Sequence, residues 1–157
     1  MYPESSEGLN KETEDAIYFF TTAFHPFDNF SAHQVEIWGK RFPTVEHAFQ
    51  WKKFSEVRPD IANKIFEAGS PELVKQISLE HKVDAPKNWH ERKVGIMEEI
   101  IFAKAAQHLD VQALLKKSGN RTIIENSPVD SFWGIGIDSQ GINTMGKILM
   151  KAREKYI

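Results

Sequence analysis

The chain has 157 residues, enough for one domain with a real core, and its 41% hydrophobic and 27% charged residues are ordinary for a soluble globular protein. A formal net charge of −2 lacks the basic excess of a dedicated nucleic-acid binder, although it leaves room for a local patch. The absence of cysteine excludes disulfides, thiolate catalysis, iron–sulfur clusters and cysteine zinc sites.

Residues 1–15 are polar and acidic and read as a flexible tail; residues 16–157 read as a single domain. The start has no charged region leading into an apolar core, so it is not read as a secretory signal. No apolar run approaches the roughly 18 residues of a membrane span, so no membrane association is expected and a cytoplasmic location is the expectation.

Ala16 to Thr21 is aromatic and β-branched and predicts a short strand. The loop HPFDNFSAH follows, with Phe24, Phe27 and Phe30 spaced so as to pack it onto the body. Gln34 to Phe42 predicts a hairpin turning near Gly39. Thr44 caps a first helix that ends at Phe54, with acidic Glu46 in its first turn. Pro59 starts a second helix ending before Gly69, and Ser70-Pro71 starts a third. Asn88 to His108 is a long helical pattern with Val94, Met97, Ile101 and Ala105 on one stripe. Asp110 is read as the cap of a short helix that stops at Gly119. The run Thr122-Ile123-Ile124 predicts a strand, and Ile142 to Lys155 an amphipathic helix. The fold class is mainly α with a few short β-strands.

Two stretches carry chemistry. On the first helix, at roughly 100° per residue, Glu46, Gln50 and Lys53 fall within about 60° of one another. Val45, Ala48, Phe49, Trp51 and Phe54 make most of the remaining circumference apolar, as in an interior helix. An acid–amide–amine line there either faces a cavity or forms a partly solvated ladder at the helix rim. The second stretch, SPVDSFWGIGIDSQGINTMG, interleaves Gly134, Gly136, Gly141 and Gly146 with Asp130, Trp133, Asp138 and Asn143. A glycine-rich loop running into a helix can hold a phosphate through backbone N–H groups; the alternative is a tight loop anchored by Trp133. Neither a Rossmann nor a P-loop spacing is present. The six histidines show no HExxH or paired spacing, so no metal site is expected.

The residues carrying both stretches resemble the YbiA-like, or NADAR, family. The matching positions are Asn29-Phe30, Trp38 to Phe42, Pro43-Thr44-Val45-Glu46-His47-Ala48-Phe49-Gln50, Lys53-Phe54, Asn88-Trp89, Lys104, and Glu125 through Pro128. They continue through Asp130, Trp133-Gly134, Gly136, Gly141, Asn143, Gly146 to Met150, and Arg153. Departures are Asp28, where the family commonly has Ser, and Ser118-Gly119, where it often has Thr-Gly.

The resemblance implies a compact, mostly helical single domain that hydrolyses an N-glycosidic bond between a ribose and a nitrogenous group, without a cofactor. It implies as substrate either ADP-ribose attached to guanine of nucleic acid or a phosphorylated ribosylamino-pyrimidine of riboflavin biosynthesis. Cleavage builds positive charge at the anomeric carbon, so a carboxylate near it and a proton donor to the leaving nitrogen are required. On this basis Glu46 is the expected acid/base and Asp130 the second carboxylate. Lys53 is either a point charge binding phosphate and tuning Glu46, or a desolvated amine that forms a Schiff base with the sugar. Trp89 and Trp133 are expected either to stack on substrate or to be core residues. Asn29, Phe30, His47, Gln50, Gly134, Gly136, Asn143 and Gly146 complete the expected binding positions. The other class of function open to these residues is a non-catalytic module that binds ADP-ribose or a nucleotide. Oligomeric state is not legible.

Overall fold

The computed structural model describes residues 8–20 and 25–157. Six α-helices and five short strands are present among them, in the order β1 (Lys11–Glu12), β2 (Ala16–Phe19), β3 (Val35–Ile37), β4 (Lys40–Phe42), α1 (Val45–Phe54), α2 (Pro59–Glu67), α3 (Pro71–Glu80), α4 (Trp89–Gln107), α5 (Leu109–Ser118), β5 (Thr122–Glu125) and α6 (Thr144–Arg153). None of these helices is long and apolar enough to cross a membrane. The chain divides into two units, one formed by Met1–Ser31 with His108–Ile157 and the other by Ala32–Gln107.

In the first unit β2 is the middle strand of a three-stranded sheet, antiparallel to β1 and parallel to β5, with Ile17 opposite Ile123. Helix α6 packs on β5 and α5, burying Met145, Leu149 and Ala152 beside Ile17, Phe19, Ile123 and Leu115. The tail expected over residues 1–15 begins its sheet pairing at Lys11. Arg121 ties β1 down through Glu12, and the Asn10 amide bonds both the N–H and the carbonyl of Phe20. A polar segment can be ordered here because its groups pair with the sheet edge rather than a core. Thr21 and Phe24 lie outside the described residues, as do residues 1–7.

The second unit is helical around α1, with a β3–β4 hairpin. The hairpin turns through Trp38 and Gly39, both at positive φ (55° and 74°), as a two-residue turn matched to strand twist requires. Trp38 accepts this left-handed conformation because its ring is held, stacked 6.1 Å from Trp51 with its indole N–H on Glu99. Thr44 caps α1, and Ser70 caps α3 through the Leu73 N–H. Phe54, Ile61, Ile65 and Val74 form a core shared by α1, α2 and α3.

Helix α5 differs from expectation. His108 occupies its N-cap without a side-chain capping bond, and Asp110 sits inside the first turn, where its carboxylate accepts from the Val111 N–H at 2.9 Å. The helix therefore begins two residues earlier than a capping aspartate predicts, and Asp110 serves its exposed amides from within.

Candidate functional site

Within the second unit the polar line of α1 is assembled as one network. Val45, Ala48 and Phe54 are fully buried, which fixes the helix rotation and leaves Glu46, Gln50 and Lys53 on one flank. Glu46 is 8% exposed. The Gln50 amide donates to Glu46 Oε1 at 2.9 Å, and its carbonyl oxygen accepts from the Ser78 hydroxyl of α3 at 2.7 Å. Lys53 Nζ donates to that same hydroxyl oxygen at 3.3 Å. An acid and an amine are thus linked through an amide and a hydroxyl. The acid end of this line is buried, whereas Gln50 and Lys53 are half-buried, so the line runs from the interior toward the helix rim.

Burial pushes the Lys53 amine below the ordinary lysine range, and Lys93 and Lys82 push the same way, while Glu46 opposes them. Its Nζ lies 5.9 Å from the Trp89 ring centroid and 5.5 Å from that of Phe54. Trp89, the first residue of α4, is 5% exposed and packs at 5.1 Å on Phe49. Its place is the apolar wall that desolvates Lys53, not an open stacking platform.

His47 takes a different place from the one expected. It is 1% exposed, with Nδ1 2.8 Å from the Thr44 hydroxyl and Nε2 2.9 Å from the Ala68 carbonyl. A carbonyl only accepts, so Nε2 carries the proton and Nδ1 accepts from Thr44. Both ring nitrogens are committed to the protein, and burial lowers the pKa of the ring. The imidazole ties α1 to the end of α2 and has no atom left for a ligand.

In the first unit, Asp28 organises the loop that carries Asn29 and Phe30, accepting from the Phe30 N–H at 2.8 Å. The glycine-rich loop is organised by Ser127 and Asp130. Ser127 Oγ accepts from the Asp130 N–H, and Asp130 Oδ1 accepts from the N–H groups of Phe132 and Trp133 at 2.9 and 2.8 Å.

The phosphate reading of that loop is not supported by its hydrogen bonds. The Asn143, Thr144 and Met145 N–H groups at the start of α6 donate to the carbonyls of Gly134, Phe132 and Trp133. The loop satisfies the helix end itself. The Asn143 side chain bonds the Glu125 N–H and the Ile123 carbonyl, each at 2.9 Å, as a neighbouring strand would. Gly146 lies against the Ile123 carbonyl, where a Cβ would collide with main chain, and at Gly134 a Cβ would sit 2.6 Å from the Glu125 carbonyl. Gly136 turns the loop at φ 71°. Asn143, Gly134 and Gly146 are thereby close-packing positions of β5 and α6. Trp133 is half-buried, edge-on to Phe132 at 4.9 Å.

Two buried polar residues were absent from the expected site. Ser78, 4% exposed, sits one turn after fully buried Val74 on α3, and a serine at a core position of an amphipathic helix is the signal that could have found it. Lys104, 2% exposed on α4, is a second buried amine. An open groove of about 600 Å³ along the hairpin is lined by Glu36, Ile37, Gly39, Lys40 and Arg41, none of which is a candidate residue.

The NADAR domain family profile matches residues 10–156. The chain is 35% identical over 142 residues to N-glycosidase Npun_R5314 of Nostoc punctiforme, covering 88% of this chain and 91% of that protein. It is 30% identical over 156 residues to N-glycosidase YbiA of Escherichia coli, covering 98% and 96%. The NMR structure of YbiA superposes with a TM-score of 0.79 at 27% identity, over 99% of this chain and 92% of that one. The maize chloroplastic riboflavin biosynthesis protein PYRR is 30% identical over 156 residues, which span 90% of this chain and 25% of that protein. These likenesses make the chain a hydrolase acting on N-glycosyl compounds, mainly helical with a few short strands. It belongs to the YbiA-like NADAR family.

Proposed function

We propose that the protein cleaves the bond between the anomeric carbon of a phosphorylated ribose and a base or amine nitrogen, with Glu46 as acid/base and Lys53 as nucleophile. The substrate is either ADP-ribosylated guanine or a phosphorylated ribosylamino-pyrimidine; both offer a ribose C1–N bond and a phosphate. The riboflavin name of the maize relative favours the second, although this chain matches only a quarter of that protein. The observation that carries the reading is the single hydrogen-bonded line from the buried Glu46 carboxylate to the desolvated Lys53 amine. A burial-lowered amine is a better nucleophile at neutral pH, and a sheltered carboxyl is a suitable proton donor.

In this reading Glu46 protonates the leaving nitrogen as the C1–N bond breaks, and the departing base keeps the bonding pair. Neutral Lys53 attaches to C1 and loses a proton to Glu46. The ring oxygen then leaves C1 as the C=N bond forms, and takes a proton. Water adds to the imine, the amine is expelled, and the products are the free base and the phosphorylated ribose. Asp130, whose Oδ1 holds its loop, is proposed as the second carboxylate through its negative charge. The activity is assigned to residues 16–157 as one domain, since the family profile runs through both units.

Parallel incubation with ADP-ribosyl-guanine DNA and with a ribosylamino-pyrimidine phosphate, with released base followed by mass spectrometry, tests the reading and separates the substrates. Borohydride should trap the sugar on Lys53, and Glu46→Gln should bind ligand without hydrolysing it. If wild type and Glu46→Gln bind equally and neither releases base, the protein is a nucleotide-binding module instead.

A further inference from the structure

Resting on the N-glycosidase reading above, we propose that Ser78 is the positioning residue that aims the Lys53 amine at the sugar carbon. The polarity of the network dictates its geometry. The Gln50 NH₂ donates to Glu46 Oε1 and its carbonyl oxygen faces Ser78. The one Ser78 proton is therefore spent on Gln50, and only hydroxyl lone pairs face Lys53. Nζ can meet Ser78 solely through an N–H, as the 3.3 Å contact has it. When the amine is neutral, this bond holds one N–H against Ser78 and turns the nitrogen lone pair away from that hydroxyl.

A four-carbon lysine stem has many rotamers, and the Trp89 and Phe54 rings restrict it without orienting its head. Orientation comes from the hydroxyl. Nothing in packing asks for it: Ser78 lies on the buried stripe of α3 one turn from Val74, where an apolar side chain would serve the core better.

The test compares Ser78→Ala with Ser78→Thr, which keeps a hydroxyl, after thermal melts establish that both fold. Two rates are read at Lys53: acetylation by a small anhydride, followed by peptide mass spectrometry across pH, and borohydride trapping at saturating substrate. The charged groups acting on this amine are Glu46 of α1, Lys93 of α4 and Lys82 after α3. Removing the acceptor disfavours the ammonium further, so the acetylation midpoint of Ser78→Ala should move to lower pH and the small reagent should react at least as fast as in wild type. Trapping and kcat should nevertheless fall about tenfold or more with KM within about threefold, because the neutral amine is misaimed. Ser78→Thr should recover most of the loss.

Trapping and kcat of Ser78→Ala within about twofold of wild type would overturn the proposal. So would a loss that Thr fails to restore while folding normally. Turnover by wild type without any trapped adduct removes the covalent step and overturns the proposal with it, while leaving the N-glycosidase reading standing. Absence of turnover in wild type defeats the N-glycosidase reading itself. In that case an unmoved acetylation midpoint in Ser78→Ala removes the positioning contact as well.

Discussion

Lys53 sits where function and stability pull in opposite directions. Its amine titrates below the ordinary lysine value, so the unfolded chain binds more protons than the folded one between the lowered value and ~10.4. Folding stability should therefore rise with pH through that window, and the protein carries the full cost of the buried ammonium below it. Lys53→Met should remove hydrolysis and trapping, raise the melting temperature at neutral pH, and flatten the alkaline rise; a melt series from pH 7 to about 10.5 reads all three. His47 acts at the other end of the scale. Its ring is held neutral by burial, so its contribution is present above pH ~6.5 and is lost as pH falls below it and the unfolded chain takes up the proton. His47→Ala should cost about 1–3 kcal/mol at pH 7, since the Ala68 carbonyl and Thr44 hydroxyl lose their partner, and should flatten the decline in stability below pH 6.5. In the sequence His47 and Gln50 look equally like ligands. What separates them is which neighbours each nitrogen meets, and Ala68, twenty-one positions on, is invisible to local pattern.

At the level of elements, main-chain groups left open at strand edges are closed by side-chain amides. Asn10 brackets Phe20, Asn143 spans Ile123 and Glu125, and Gln107 takes both the N–H and the carbonyl of Glu36 on β3. Caps, proline starts and the Trp38-Gly39 turn depend on residues a few positions apart and were readable. The work of Asn143, and the ordering of Lys11–Glu12, depend on partners far along the chain and were not. The Asp130 loop allows a clean division of roles. Asp130→Asn keeps an Oδ1 that can accept from Phe132 and Trp133 but removes the charge; Asp130→Ala removes both. If the charge assists the reaction, Asn should lose about tenfold or more in kcat with a melting temperature near wild type. Ala should lose the same activity and, in addition, about 1 kcal/mol of stability in a denaturant titration.

For the molecule as a whole, the reaction proposed runs on side-chain acid, base and amine alone. Activity should accordingly survive exhaustive treatment with a chelator and be unchanged by added zinc or magnesium, measured as initial rate of base release. The helical class was readable because capped, periodic segments dominate the chain from Val45 to Ser118, and the sheet was not, because its central pair joins Ile17 to Ile123. That pairing bears on how the protein is made. β2 leaves the ribosome before β5 and has no parallel neighbour until β5 emerges, roughly a hundred residues later, and closing so long a span is slow. In the interval the apolar strand AIYF stands without its mate, a template for pairing between nascent chains, and chaperone demand during synthesis should centre on those four residues.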